Sequence, residues 1–160
     1  MTERPGDTLP EMSRVQRLAW WGLLAALISQ GLGGYAMAFG FDGPLFRWHQ
    51  DPTAIALWGE PIYSAQTAAY RHWIQGAMGA TLAAWSTACA WLCFIPLRRG
   101  ERWAWWAIVS SLLAWYPLDT TLSLRDGVWI NAAVNTAALT GMVLPLAVLW
   151  HWLSLDRTET

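Results

Sequence analysis

The sequence predicts an all-α polytopic membrane protein, a four-transmembrane-helix bundle with an interfacial helix or lid in its first loop. Three observations lead there. Of 160 residues, 55% are hydrophobic and only 13% charged, about half the charged share of an average soluble domain, so lipid is the expected solvent. Four stretches, 18–39, 72–95, 103–124 and 128–150, are mostly apolar and reach the about 20 residues that a bilayer crossing requires. Most of the 14 tryptophans fall at the ends of these stretches, where indole rings anchor at the lipid–water boundary. Trp20, Trp21, Trp73, Trp103, Trp105, Trp106, Trp129, Trp150 and Trp152 are placed in this way. A net charge of -1 and a complete lack of lysine leave no basic field for nucleic acid.

An even number of crossings puts both termini on one side. Arg4, Arg14, Arg17, Arg98, Arg99, Arg102 and Arg157 fall on that side, against Arg47, Arg71 and Arg125 on the other. The positive-inside rule then assigns the tails, 1–17 and 151–160, to the cytoplasm and 18–150 to the membrane domain. A competing reading of the first stretch is a signal peptide, since an arginine-bearing start and an apolar run lead to Ala36-Met37-Ala38. The apolar run is long for a signal peptide, which favours a true span.

The first loop, 40–71, is the only long connection. Asp51-Pro52 and Glu60-Pro61 each set an acid just ahead of a proline, the composition of a helix start. A short interfacial helix over Thr53 to Trp58 is expected, and a further helix from Pro61 into the second span. An ordinary interfacial loop is the plainer alternative.

Helices in lipid associate by close packing of small residues. Gly22, Ala26, Gly34 and Ala38 of the first span share a face that Gln30 interrupts. The second span carries Gly76, Ala80, Ala84 and Ala88, flanked by Gly79, Ala83, Thr87 and Ala90. These two spans are expected to form the tightest pair, although either stripe also suits a partner chain. Cys89 and Cys93 stand one turn apart on one helix, where a disulfide is geometrically implausible, and they read as small packing residues.

Asp119 is the feature that points to chemistry. A carboxylate at membrane depth is costly and marks an interface or a cavity. It lies about 7 to 8 Å inside the outer end of its span at 1.5 Å per residue, two residues after Pro117, which frees the carbonyl of Leu113. Asn131 and Asn135 share a face of the last span, Arg71 and Gln75 share one on the second beside His72, and Gln30 and Tyr35 lie on the first. Ionisable and amide groups therefore collect in the non-cytoplasmic half, whereas the other half offers only hydroxyls that can bond their own backbone. Trp115, with Trp85 and Trp91, lies deep enough to pack in the core or to line a pocket. In one reading Asp119 pairs with Arg71 or Arg125 and the amides fix helix packing. In the other, the same groups line a pocket with Asp119 as acid, base or cation partner.

Other chemistry has little support. His49, His72 and His151 are scattered with no pair at ligand spacing on one helix, so neither a metal nor haem is expected, nor any other cofactor. Gly31-x-Gly33-Gly34 lies inside an apolar helix rather than at a strand-to-helix turn, so it is no phosphate loop. No serine sits in a hydrolase signature. The halves show no inverted repeat of the kind transporters use.

Arg99 to Trp106, followed by Asp119-Thr120-x-x-Ser123 and Asn131-x-x-x-Asn135, resembles a group of small bacterial four-span proteins without an assigned activity, over residues 65–150. That resemblance implies a bacterial inner membrane. Four spans, a long first loop and intramembrane acid and amide groups are also similar in architecture to the emopamil-binding-protein and sigma-2-receptor superfamily, which binds sterol-like ligands and includes isomerases. The similarity implies a lipophilic small molecule (sterol-like, isoprenoid or lipid) as the ligand to be bound or isomerised. The expectation from a different class is a non-catalytic accessory subunit of a larger membrane complex or a homo-oligomer.

Overall fold

The computed structural model describes residues 12–40, 43–60 and 64–155. Among these the chain is helical throughout: α1 (Arg14–Gly40), α2 (Arg47–Trp58), α3 (Ala65–Phe94), α4 (Arg102–Arg125) and α5 (Trp129–Leu155), with single 3₁₀ turns at Pro44–Phe46 and Leu97–Arg99. Three segments, Arg14–Gly40, Ala65–Arg99 and Trp129–Ser154, are long and apolar enough to cross a membrane. The fourth expected span, α4, is 24 residues long but is not one of them. Arg102, Asp119, Arg125, Tyr116, Pro117 and several hydroxyls dilute its apolar content.

Local chemistry sets the ends of these helices. Ser13 and Gln16 form a reciprocal capping box at α1: the Gln16 amide donates to Ser13 Oγ at 3.3 Å, and the Ser13 amide donates to Gln16 Oε1 at 2.8 Å. Ser64 caps α3 by accepting from the Thr67 amide at 3.2 Å. The α4–α5 reversal is a Schellman turn. The Gly127 amide donates to the Leu124 carbonyl at 3.2 Å and the Val128 amide to the Ser123 carbonyl at 2.8 Å, with Gly127 at φ 74°, a conformation that favours glycine.

The loop differs from its sequence reading in one respect. Pro52 does not open the interfacial helix but lies inside it, because α2 begins at Arg47. The preceding 3₁₀ turn, started by Pro44, launches the helix a turn early. Thr53 Oγ1 donates to the His49 carbonyl, one turn back in the helix, at 2.7 Å. The helix expected from Pro61 is seen from Ala65, and Pro61 itself lies outside the described residues.

α1 packs most extensively on α3, then on α5, while α4 packs on α5 and more lightly on α3. The α1–α3 contact is the tight one, as the small-residue stripes suggest. A Cβ added to Gly34 would lie 2.6 Å from the Ala83 amide nitrogen, and one added to Gly79 would lie 2.6 Å from the Gly34 carbonyl oxygen. The stripe used on α3 is the flank, Gly79 and Ala83, which is buried; Ala80, Ala84 and Ala88 face outward. A shift of one residue turns a helix face by about 100°, so the flank carries the close contact with α1, and of the other stripe Gly76 approaches it near Ala38.

The apolar core fills the end where α1 and α4 begin and α3 and α5 finish: Leu23, Leu27, Leu97, Ile108, Met142, Leu146 and Leu149 are essentially inaccessible. Both cysteines are free thiols buried in it, in line with a packing role. Two polar side chains there are tied to carbonyls near helix ends. Trp20 Nε1 donates to the Cys93 carbonyl at 2.8 Å, and Arg102 donates through Nε and an Nη to the Leu153 carbonyl at 2.9 and 2.6 Å. Arg102 also stacks over Trp150, 5.6 Å from its centroid. Arg102→Lys loses the forked donor and the stack together, so thermal unfolding in detergent should report a loss of about 1 kcal/mol. An unchanged midpoint would mean the arginine does not cap α5.

Large apolar side chains on outward faces are common, including Leu32, Phe39, Leu113, Leu118, Trp129 and Leu144. A soluble monomer rarely shows apolar surface on this scale, and it includes α4.

Candidate functional site

Asp119 stands at the junction of α4, α5 and α2, and each neighbour follows from helical spacing or from the α4–α5 turn. Trp115 is one turn earlier on α4 and donates its indole N–H to Asp119 Oδ2 at 3.0 Å. Ser123 is one turn later; its hydroxyl lies 2.7 Å from the Asp119 carbonyl and 3.4 Å from Oδ1. The short reversal then brings Asn131 alongside, so that its Nδ2 donates to Asp119 Oδ1 at 3.0 Å and to Ser123 Oγ at 2.7 Å. Asp119 stays half-buried while Ser123 and Thr120 are buried.

These bonds decide how Asn131 is turned. With both acceptors on the nitrogen side, its Oδ1 faces α2, where His49 Nε2 lies 3.2 Å away. An amide oxygen only accepts, so His49 must carry its proton on Nε2. The result is a continuous chain from the His49 imidazole through the Asn131 amide to the Asp119 carboxylate, joining three helices.

Neither arginine foreseen as a partner pairs with Asp119. Arg125 pairs with its neighbour Asp126 at 2.8 Å, and Arg71 donates to Gln50 at 3.4 Å, joining α3 to α2. The reason is geometric: Arg125 lies six residues beyond Asp119, on a different face of α4. Its hydrogen bonds, and then its charge, hold the exposed Asp126 carboxyl below the usual carboxylate range. Any stability linked to Asp126 is therefore complete above that range and lost as pH falls through the lowered value. Both groups are exposed, so Asp126→Asn should leave the unfolding midpoint at pH 7 nearly unchanged. A marked drop would show that the pair holds the turn.

The remaining expected residues divide between two places. Asn135 is buried beside the site and its Nδ2 lies 3.4 Å from Thr120 Oγ1, a long bond between α5 and α4. Tyr116 and Thr136 hydroxyls meet at 3.2 Å on the same pair of helices. Trp115 stacks at 6.1 Å on Trp85 of α3, whereas Trp91 is exposed. Tyr35 and His72 are also exposed and Gln75 is half-buried. Gln30 Oε1 is buried without a hydrogen-bond partner among the described residues.

Sequence reasoning passed over His49, Ser123, Thr120 and Gln50 as site residues. Ser123 was within reach, since it follows Asp119 by one turn as surely as Trp115 precedes it. His49 and Gln50 were not, because nothing in the loop sequence says where α2 docks. No group of histidine, cysteine and acidic side chains fit to hold a metal occurs among the described residues. No family model, no curated protein and no solved structure matches the chain.

Proposed function

We propose that this chain is a four-span membrane protein whose outer half binds a lipophilic small molecule at Asp119. In this reading α4 is the fourth crossing, α2 lies over the outer mouth as a lid, and both termini are cytoplasmic in a bacterial inner membrane. The exposed apolar face of α4 supports the fourth crossing, and the seven-to-three division of arginines between the two sides supports the orientation.

One observation carries the functional reading. Trp115, Ser123 and Asn131 surround the Asp119 carboxylate with neutral hydrogen-bond groups and no cation. A packing device would be expected to neutralise an acid at this depth with one of the nearby arginines. A carboxylate held in place by dipoles and left half-buried is instead suited to meet a cationic ligand group, or to take a proton from a substrate and return it at another position. Asn131 and Asn135 supply further polar contacts and Trp115 an aromatic wall; in this reading Gln75 and Gln30, whose Oε1 is buried without a partner among the described residues, reach the same ligand. Sterol-like, isoprenoid and lipid molecules are the candidate ligands, as in the superfamily this architecture resembles.

Asp119→Asn tests the reading, because it preserves shape and removes the charge. Extraction and mass spectrometry of lipophilic molecules co-purifying with the two proteins should show a ligand retained by the native chain and lost from the variant. Equal retention at equal stability would sink the proposal. A second reading, an accessory subunit of a larger assembly or a homo-oligomer, draws on the outward stripe Ala80, Ala84 and Ala88, which suits a partner helix. Ala84→Leu should then release that partner during purification while leaving ligand retention intact.

A further inference from the structure

We propose that the surface where the start of α1 meets the end of α3 binds an acidic phospholipid, its phosphate held by Arg17 and Arg98 and its acyl chains laid along Trp21, Trp91 and Phe94. The site requires α1 and α3 to lie in a membrane, and it is independent of the ligand chemistry proposed at Asp119.

The two helix ends are fixed side by side by Trp20, a 2% exposed residue whose indole N–H donates to the Cys93 carbonyl at 2.8 Å. Arg98 stacks over the same ring, 5.0 Å from its centroid. Stacking restrains the guanidinium plane and leaves its edge donors open, the geometry that suits bidentate phosphate recognition. Arg17 lies one turn before Trp20 and Trp21, so it sits at the same end of this surface. Both arginines are exposed, and neither forms an ion pair among the described residues. Arg125 at the opposite end, by contrast, is already paired with Asp126.

Beneath the guanidiniums runs a continuous aromatic wall. Trp20 meets Trp21 at 4.6 Å and Phe94 at 6.1 Å, and Phe94 meets Trp91 at 6.3 Å. Trp21, Phe94 and Trp91 are 54%, 45% and 59% exposed. Cation above and open apolar wall below match the two halves of a phospholipid. Free phosphate would use only the upper half. A zwitterionic lipid carries its own cation beside the phosphate and gains less from the arginines.

Native mass spectrometry of the detergent-purified full chain, titrated with phosphatidylglycerol or phosphatidylcholine of identical chains, tests the site. Phosphatidylglycerol should be retained preferentially. Its affinity should fall about fivefold in Arg98→Gln and about 25-fold when Arg17→Gln is added, at the strength usual for a basic residue near a lipid surface. Trp91→Ala should weaken both lipids, and Arg47→Gln neither. Arg98→Lys, which keeps the charge but loses the stacked fork, should lie between the native chain and Arg98→Gln. Equal binding of the two lipids, a preference unchanged in the double variant, or competition by millimolar inorganic phosphate alone would overturn the proposal. Carbonate washing of membranes separates the failures. A chain released by the wash removes this site together with the membrane reading, whereas a retained chain without lipid preference removes this site alone.

Discussion

Gly79→Ala is expected to loosen the molecule as much as any single added methyl can, matched only by Gly34→Ala. The new Cβ would lie 2.6 Å from the Gly34 carbonyl oxygen and 2.7 Å from the Ala38 amide nitrogen. Both are backbone atoms, so no side chain can rotate away and α1 and α3 must separate along their shared length. We expect a loss of about 2–3 kcal/mol, at the upper end of the usual cost of overpacking, and the same sign for Gly34→Ala, whose Cβ meets α3 backbone just as closely. Gly33→Ala and Gly141→Ala are the controls. Each would project a Cβ into open space, where better helix propensity makes the change neutral or slightly stabilising. Thermal or denaturant unfolding in detergent reads all four. Equal behaviour of Gly79→Ala and Gly33→Ala would dismiss the close crossing.

Asn131→Asp is expected to have the second large effect. Asn131 donates to Asp119 and Ser123 while accepting from His49. Replacing its amide by a carboxyl sets two acids within hydrogen-bond distance. The donors to Asp119 and Ser123 are lost and one acid faces another, so about 2–4 kcal/mol should disappear. Asn131→Leu provides the comparison: it should be destabilised by about 1–3 kcal/mol. Amide exchange in α2 adds a local readout, since Asn131→Leu removes the acceptor of the His49 bond and should speed exchange there more than in α1. A variant as stable as the native chain at pH 8, with α2 equally protected, would leave the three-helix chain without a structural role.

Much of this was legible in sequence because it depends on spacing within one element. The small-residue faces of α1 and α3, the run Trp115–Asp119–Ser123 and the shared face of Asn131 and Asn135 all follow from 3.6 residues per turn. The concentration of amides and ionisable groups toward one end of the helices is equally a matter of counting along the chain. Pairing across elements was not legible. Arg71 and Arg125 were equally plausible partners for Asp119 until the faces of the helices were fixed, and then Asp126 and Gln50 were nearer.

Composition and period alone determined that the chain is helical, apolar enough for membrane crossing and marked by an acid in an apolar run, because these depend on local backbone preference and on the cost of polar groups in lipid. Only tertiary structure decided which of two adjacent stripes on α3 meets α1, that α2 begins at Arg47, and that His49 reaches Asn131. Those outcomes depend on rotations of about 100° per residue and on where a loop helix docks. A one-residue change in register alters every contact there and leaves the sequence pattern the same.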